Sequence, residues 1–281
     1  MTYPFRLLAA ASLLLTAAAA APPDKITTEQ LIARLSSAID KLQTLRCTVK
    51  ANERLATNSY QQVRTQMKLT FAPQRVYLRN HKGIEVLWVQ GQNDGDAWVY
   101  PNSFPYVTLN LDPNGSVMRK NQHHSILDAG YGVIADLIRA APQRSDAYRR
   151  SFRYAGDTTV QGRPCYLLRS DFPQFKYVSY KPEKPETPAQ VADRFGCGEF
   201  RVLERNKLSI GESIPAGRTL QVPNGYGRRT IVCVDQKLML PLAVSVWDDK
   251  GLFESFEFQN VVANQPIPAA EFSKEYKEYK F

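Results

Sequence analysis

Two adjacent histidines, His123 and His124, lie in the segment KNQHHSIL and are followed by Ser125 and Asp128. Histidine exchanges protons near neutral pH, so the group could serve a hydrolase as general base, with Asp128 orienting a histidine. No G-x-S-x-G motif or other nucleophile signature surrounds Ser125, however. Ser125 and Asp128 also have the spacing of a helix capping box. We therefore predict that the protein is not an enzyme and that both histidines lie at the rim of a binding cavity; a hydrolase using His123 or His124 is the alternative.

The same residue types raise the question of a metal site. Adjacent side chains point to opposite sides of a strand and about 100° apart on a helix. His123 and His124 therefore cannot easily hold one ion, and the third histidine, His81, is distant in sequence. The four cysteines lack the close spacing of a zinc site: Cys47, Cys165, Cys197 and Cys233. We predict neither a metal nor a cofactor.

The first twenty residues have the order of a secretory signal peptide: Arg6, then an apolar run, then alanines. An uncleaved membrane anchor is the alternative, but the apolar run is shorter than the roughly 20 residues of a spanning helix. We predict an exported protein of the periplasm or cell envelope, soluble after cleavage. The formal charge of +9 suggests anionic partners such as lipid headgroups or envelope polymers. Nucleic acid is not expected, because the chain is exported and lacks a concentrated basic motif.

Two helices and at least eight strands are predicted along the rest of the chain. One helix begins at the Thr27–Gln30 capping box, and a second is expected from Ser125, with Leu127, Tyr131, Ile134 and Ile138 on one face. The segment VRTQMKLTF alternates apolar and polar residues, which indicates a sheet with one solvated face. The predicted fold class is α+β, with a curled antiparallel sheet and helices against one face.

The C-terminal run VDQKLMLPLAVSVWDDKGLFESFEFQNVVANQPIPAAEF resembles the end of LolA-like periplasmic lipoprotein carriers. The shared motifs are a Val-Asp strand, a Leu-Pro break, an Asp-x-x-Gly turn and a phenylalanine-rich strand closing on Asn-x-x-x-Asn. The run EVLWVQGQNDGDAWVYPNSFPYVTLNLDPNGSVMRKNQHHSILDAG is similar to an uncharacterised exported branch of that superfamily. The resemblance covers most of residues 27–182 and 226–275. It implies an incomplete antiparallel β-barrel with a helical lid.

A LolA-like half-barrel implies an apolar cavity that shelters a lipid or a lipidated protein. On this resemblance, we expect six residues to line the cavity: Met67, Leu69, Trp88, Trp98, Phe256 and Phe258. The alternative for each is a place in a closed core. If the whole barrel were a closed core, the protein would be a non-binding structural component of the envelope.

The segment from Tyr177 to Pro223 reads as strand, helix, helix, strand and resembles a LysM module, a βααβ unit that binds N-acetylglucosamine-containing glycans such as peptidoglycan. The matching positions are Tyr177, Tyr180, Thr187, Val191, Ala192, Phe195, Gly196, Leu203, Asn206, Ile214, Pro215, Gly217, Leu220, Val222 and Pro223. The resemblance places glycan-binding loops at Pro185, Glu186, Thr187, Asn206, Ile214 and Pro215. The family's Gly-Asp-Thr-Leu loop here reads Pro-Glu-Thr-Pro, and proline lacks the N–H donor that such a loop offers.

The predicted organisation is a signal peptide over 1–20 and a LolA-like β domain over 21–175 and 226–281, interrupted by a LysM-like insert over 176–225. An insert enters where two chain ends lie close together. The strands that carry Cys165 and Cys233 flank it, so we favour this disulfide among the possible pairings. Together these features predict an envelope binding protein that takes an apolar ligand or lipidated partner and is tethered to peptidoglycan by the insert.

Overall fold

The computed structural model describes residues 26–138 and 146–281. The predicted signal peptide lies outside the described residues. Thirteen strands are present there: β1 Thr44–Arg54, β2 Tyr60–Phe71, β3 Gln74–Asn80, β4 Glu85–Val89, β5 Ala97–Tyr100, β6 Leu109–Leu111, β7 Phe152–Val160, β8 Arg163–Asp171, β9 Tyr177–Tyr180, β10 Leu220–Pro223, β11 Arg229–Asp235, β12 Pro241–Asp248 and β13 Gly251–Ala263.

Six α-helices accompany the strands: α1 Thr28–Asp40, α2 Ser116–Arg119, α3 Gly132–Ile138, α4 Asp146–Arg150, α5 Pro188–Phe195 and α6 Glu199–Asn206. Three 3-10 helices cover Asn93–Gly95, Ile126–Asp128 and Ala269–Phe272. Within the described ranges, no helix has the length and apolar character needed to cross a bilayer.

Eleven strands form one antiparallel sheet in the order β6-β5-β4-β3-β2-β1-β13-β12-β11-β8-β7. Its outer strands, β6 and β7, are not joined, so the sheet is open rather than a closed barrel. The predicted α+β class is confirmed at this level. The register pairs Ala51 of β1 with Val63 of β2 and with Phe256 of β13, and this fixes which side chains share the inner face.

Helices cover part of the inner face. α1 begins at a capping box formed by Thr27 and Gln30, and its buried Leu31 and Leu35 belong to the main core. It packs against α3 and against β7 and β8. The second predicted helix is interrupted: the capping box at Ser125 starts only a 3-10 helix, and α3 begins after Gly130. Gly130 has φ of +105°, a conformation that breaks helical geometry and suits only glycine.

The outer face of β3 and β4 is covered by the C-terminal segment. The Tyr279 ring stacks on Tyr77 at 3.8 Å between centroids, and Phe272 packs in the same cluster. Glu271 joins this segment to the sheet through ion pairs with Arg46 (2.7 Å) and Lys68 (2.6 Å). The outer face of this part of the sheet is therefore buried.

The insert has the predicted order of strand, helix, helix, strand. β9 and β10 pair as a separate two-stranded antiparallel sheet, and α5 and α6 pack on it around a core of their own that includes Val191 and Val202. Thr187 caps α5, and Gly196 ends it in the left-handed conformation. The identification of this unit as a LysM module stays a prediction.

The predicted disulfide is not formed. Cys165 and Cys233 lie on the neighbouring strands β8 and β11, but Cys233 pairs with Leu167, two residues beyond Cys165. The flanking strands are adjacent, as the insertion argument requires, but the register offsets the two thiols.

Candidate ligand cavity with a buried polar end

A cavity of about 590 Å³ lies between the inner face of the sheet and the segment that carries α3. Strands β1 to β6, β12 and β13 form its walls, because their alternate side chains face inward. Most of these side chains are aliphatic or aromatic, including Val49, Ala51, Val63, Met67, Leu78, Val86, Val99, Val244, Phe256 and Phe258. Val133, Ile134 and Leu137 of α3 close one side.

One end of the cavity is polar, and the strand register explains it. Glu53 of β1 pairs with Gln61 of β2 on one side and with Glu254 of β13 on the other. Two residues further along the same strands, the row reads Val63, Ala51 and Phe256. Because side chains two apart share a face, a polar row across three strands borders an apolar one.

The histidines lie beside this polar row. His123 and His124 are in the irregular segment between α2 and the 3-10 helix Ile126–Asp128. Without regular backbone geometry, adjacent side chains can point in the same direction. His123 Nδ1 is 2.8 Å and His124 Nε2 is 3.1 Å from the same oxygen, Glu254 Oε2. The sequence argument that neighbouring histidines must diverge is therefore wrong here, because it assumed regular backbone.

The His123 ring is buried and fixed by a hydrogen bond and by two aromatic rings. It is 3 % exposed, and its Nε2 lies 2.9 Å from the carbonyl oxygen of Arg54. Since that oxygen can only accept, the Nε2 proton is assigned to this bond. The imidazole stacks on Phe253 at 4.1 Å between ring centroids and contacts Phe200 of the insert at 4.3 Å.

A buried cluster of charged side chains, Arg54, Asp248 and Arg201, lies next to His123. Arg54 donates to both carboxylate oxygens of Asp248, one of them at 2.8 Å, and both side chains are at most 2 % exposed. Arg201 of α6 is fully buried; it lies 3.6 Å from Asp248 and donates to the backbone oxygen of Tyr226. The guanidinium of Arg201 also covers the Phe253 ring at 3.6 Å. The insert is thus packed onto the sheet, against the residues that support His123.

Burial and hydrogen bonding set the charge states at the polar end. Burial raises the pKa of Glu254, but His124 and His123 outweigh it and bring this pKa well below its ordinary value. Tyr226 adds a donated hydrogen bond of 2.6 Å to the same carboxylate. Burial raises the pKa of Glu53 with only partial compensation from the histidines. For His124, burial lowers the pKa, and the Glu254 carboxylate outweighs that effect, so the pKa is raised.

The structure divides the predicted cavity residues into two groups. Met67, Phe256 and Phe258 line the cavity, together with His124. Leu69, Trp88 and His123 lie outside its lining; Leu69 and Trp88 pack in the main core. Trp98 is on the outer face beside the C-terminal segment. Glu53, Gln61 and Glu254 were not predicted, because each reads in isolation as a solvent-facing polar residue.

The predicted glycan-binding residues lie in two insert loops, except Asn206, which ends α6, and their polar side chains are already bonded within the insert. The backbones of Glu186 and Ile214 pair with each other through hydrogen bonds of 3.1 and 2.8 Å. The Glu186 carboxylate accepts from Tyr180 and Arg194. Thr187 caps α5, and Asn206 bonds the backbone of Gln221. Pro185 and Pro215 are exposed.

The described residues thus form an open antiparallel sheet with helices and an apolar cavity on its inner face. The chain belongs to the family described as "Protein of unknown function (DUF1571)", whose profile matches residues 42–182. A comparison with curated protein sequences finds no match.

Several solved structures are similar in general fold. LprF from Mycobacterium bovis is 12% identical over 86% of this chain and 95% of that chain, with a TM-score of 0.44. A LolA superfamily protein from Nitrosomonas europaea is 10% identical over 90% and 100% of the two chains, with a TM-score of 0.34. MucB in the MucA/MucB complex of Pseudomonas aeruginosa is 14% identical over 88% of this chain, with a TM-score of 0.40; this chain spans 60% of its length.

Proposed function

We propose that this protein is an exported cell-envelope binding protein that shelters an acyl chain of a lipid or a lipidated protein in the inner-face cavity. The cavity itself carries the proposal: about 590 Å³ of space with mostly apolar walls and one polar end. Ligand pockets in proteins commonly span about 300–1,000 Å³. Each buried methylene of an acyl chain would contribute about 0.8 kcal/mol. The polar end would meet the part of the ligand that is not hydrocarbon.

The surface beside the cavity supports delivery of such a ligand. Leu109 and Val117 line the cavity and are also exposed, and the nearby Phe104 and Tyr106 project from the same segment at 88 % and 61 % exposure. Contiguous exposed apolar side chains mark sites of membrane or protein contact. The predicted signal peptide and the formal charge of +9 fit a partner in the envelope with anionic headgroups.

The contacts of the histidines favour binding over hydrolysis. Among the described residues, their ring nitrogens bond Glu254, Arg54 and Tyr226. The Ser125 hydroxyl instead has the Asn114 side-chain oxygen and the Pro113 carbonyl as its alternative acceptors. A nucleophile and its base must lie within hydrogen-bond reach of each other. Ser125 and the histidines bond other groups, so they do not form a nucleophile–base pair. We propose that the protein is not an enzyme.

The peptidoglycan tether predicted from the sequence is not part of this proposal. The strand-helix-helix-strand order of the insert favours a LysM-like fold. However, the loop backbones that would face a glycan bond each other, and Arg201 gives the insert a structural role on the sheet.

The test is native mass spectrometry of the full chain, purified from a membrane-containing host, followed by titration with a fluorescent fatty acid. We expect a co-purifying lipid mass and saturable uptake. Competition by a phospholipid and by an acylated peptide then separates the two ligand sources. A clean apo mass with no uptake would overturn the proposal and favour a non-binding structural protein.

A further inference from the structure

Three elements bring four potential metal ligands together at the polar end of the cavity. Glu53 comes from the end of β1, Glu254 from β13, and His123 and His124 from the segment before the 3-10 helix. One ligand atom each of Glu53, His123 and Glu254 lie within 4.8 Å of one another, and all three residues are buried. We propose that this cluster binds a divalent transition-metal ion, with Zn²⁺ as the reference ion.

The orientation of His123 is that of a metal ligand. Its Nε2 bonds a backbone carbonyl, which fixes the ring and leaves Nδ1 directed at two carboxylates, Glu254 at 2.8 Å and Glu53 at 3.9 Å. Histidines that bind metals commonly donate their second ring N–H to a carbonyl in this way. With Nε2 protonated, a neutral ring presents its Nδ1 lone pair to carboxylate oxygens, and either a proton on Nδ1 or a cation between these atoms makes the contact favourable.

The charge balance points in the same direction. Glu53 is 5 % exposed, and its carboxylate accepts a 3.3 Å hydrogen bond from the backbone of His123. The adjacent Arg54 and the nearby Arg201 are both turned toward Asp248. Two buried carboxylates therefore face each other in register, and a single divalent ion would balance both. A pair of protonated histidines is the competing arrangement, and the experiment separates the two.

The donor set limits the ion. Two imidazole nitrogens with two carboxylate oxygens suit Zn²⁺, Fe²⁺ or Mn²⁺, whereas a Ca²⁺ or Mg²⁺ site would use oxygen alone. Tetrahedral ligand bonds of about 2.0–2.2 Å place the donors about 3.3–3.6 Å apart, so Glu254 would move away from His123 Nδ1, now at 2.8 Å, and Glu53 would approach it from 3.9 Å. The ion would join β1 and β13 to the segment that carries Gln122 and His124, both of which line the cavity. It would thereby hold that segment over the polar end.

The experiment uses the full chain after chelator treatment and gel filtration, with Zn²⁺ or Co²⁺ as the only addition and no acyl ligand present. Calorimetry and bound-metal analysis should give one ion per chain, and Co²⁺ should develop the visible absorption of a nitrogen- and oxygen-ligated site. Glu53→Gln and His124→Gln keep the side-chain size and should each weaken binding at least about tenfold. His81→Gln removes a histidine that lines the same cavity outside the cluster, and it should bind as the unaltered chain does.

The unaltered chain decides the question even if a variant fails to fold. Absence of stoichiometric binding at micromolar metal overturns the proposal and leaves the protonated histidine pair. Equal affinity in Glu53→Gln, His124→Gln and His81→Gln overturns it as well, because the ion would then bind elsewhere. Neither result bears on fatty-acid uptake, so the site and the proposed function fail independently.

Discussion

Glu53 and Glu254 face each other in register across β1 and β13, and both carboxylates are buried at the end of an apolar cavity. Two carboxylates opposite one another destabilise an antiparallel pair unless something compensates them. The two carboxylates are compensated unequally. Glu254 contacts His123, His124 and Tyr226, whereas Glu53 accepts a 3.3 Å hydrogen bond from the backbone of His123 and lies 3.9 Å from its Nδ1. A site arranged at this cost to stability is better explained by binding than by packing.

Filling the cavity should abolish ligand uptake without unfolding the protein. Ala51 lies in the apolar row between Val63 and Phe256, so Ala51→Phe places a ring in the cavity. We expect fluorescent fatty-acid affinity to fall more than about tenfold, because the acyl chain loses several buried methylenes at about 0.8 kcal/mol each. The measurement is equilibrium titration of the full chain.

The matched control is Lys50→Phe, which introduces the same ring one residue earlier on the opposite, exposed face. Its affinity should equal that of the unaltered chain. If Ala51→Phe still takes up the fatty acid with unchanged affinity, the ligand does not occupy this cavity.

Replacing the Asp248 carboxylate should destabilise the fold strongly. It is the shared partner of Arg54 and Arg201, and all three side chains are essentially fully buried. Asp248→Asn removes the charge that compensates two buried guanidinium groups, so the free energy of unfolding should fall by about 3–5 kcal/mol. Urea unfolding followed by circular dichroism measures it.

Asp171→Asn provides the comparison, because Asp171 also contacts several arginines: Arg153, Arg169 and Arg229. Those arginines are 34 to 52 % exposed, so solvent screens their ion pairs and the cost should stay below about 1 kcal/mol. Comparable losses from both substitutions would show that burial does not govern these pairs.

The C-terminal segment should loosen in acid because of Glu271. Hydrogen bonding by Arg46, with Lys68 close by, lowers the pKa of this carboxyl to about 2. A folded-state pKa below the unfolded value gives stability that is present above the unfolded pKa, about 4.3, and is lost as the pH falls through about 2. Glu271→Gln should therefore cost about 2 kcal/mol at pH 7 and progressively less below pH 4.5.

Urea unfolding of both proteins at pH 7, 4 and 3 measures this difference. Glu257→Gln is the control, since Glu257 forms an exposed ion pair with Lys50 at 3.7 Å. A difference between Glu271→Gln and the unaltered chain that stays constant from pH 7 to pH 3 would contradict the assignment.

Local patterns predicted the sheet well and the polar end poorly. The alternation of Val63, Thr65 and Met67 identified the inner face of β2, because the alternating burial of a strand is visible in its local sequence. Glu53 meets Glu254 only through long-range strand pairing, which no local pattern encodes. Trp98 lies on the outer face and not in the cavity, because the C-terminal segment buries the outer face of the sheet as well. An aromatic residue in this part of the sheet is therefore compatible with either face.

The insert should not bind peptidoglycan. In its two loops the N–H groups of Glu186 and Ile214 are bonded to each other's carbonyl oxygens, and Pro185 and Pro215 offer no N–H. Glycan recognition through these backbones would require breaking paired hydrogen bonds, each worth about 1 kcal/mol net.

In sedimentation with purified peptidoglycan, we therefore expect the full chain to stay in the supernatant at moderate salt. A Pro185→Glu, Pro215→Glu double variant changes only exposed loop positions and should behave identically. Pelleting of the full chain that the double variant reduces, while an Ala189→Glu control on the exposed side of α5 leaves it unchanged, would restore the insert as a glycan tether.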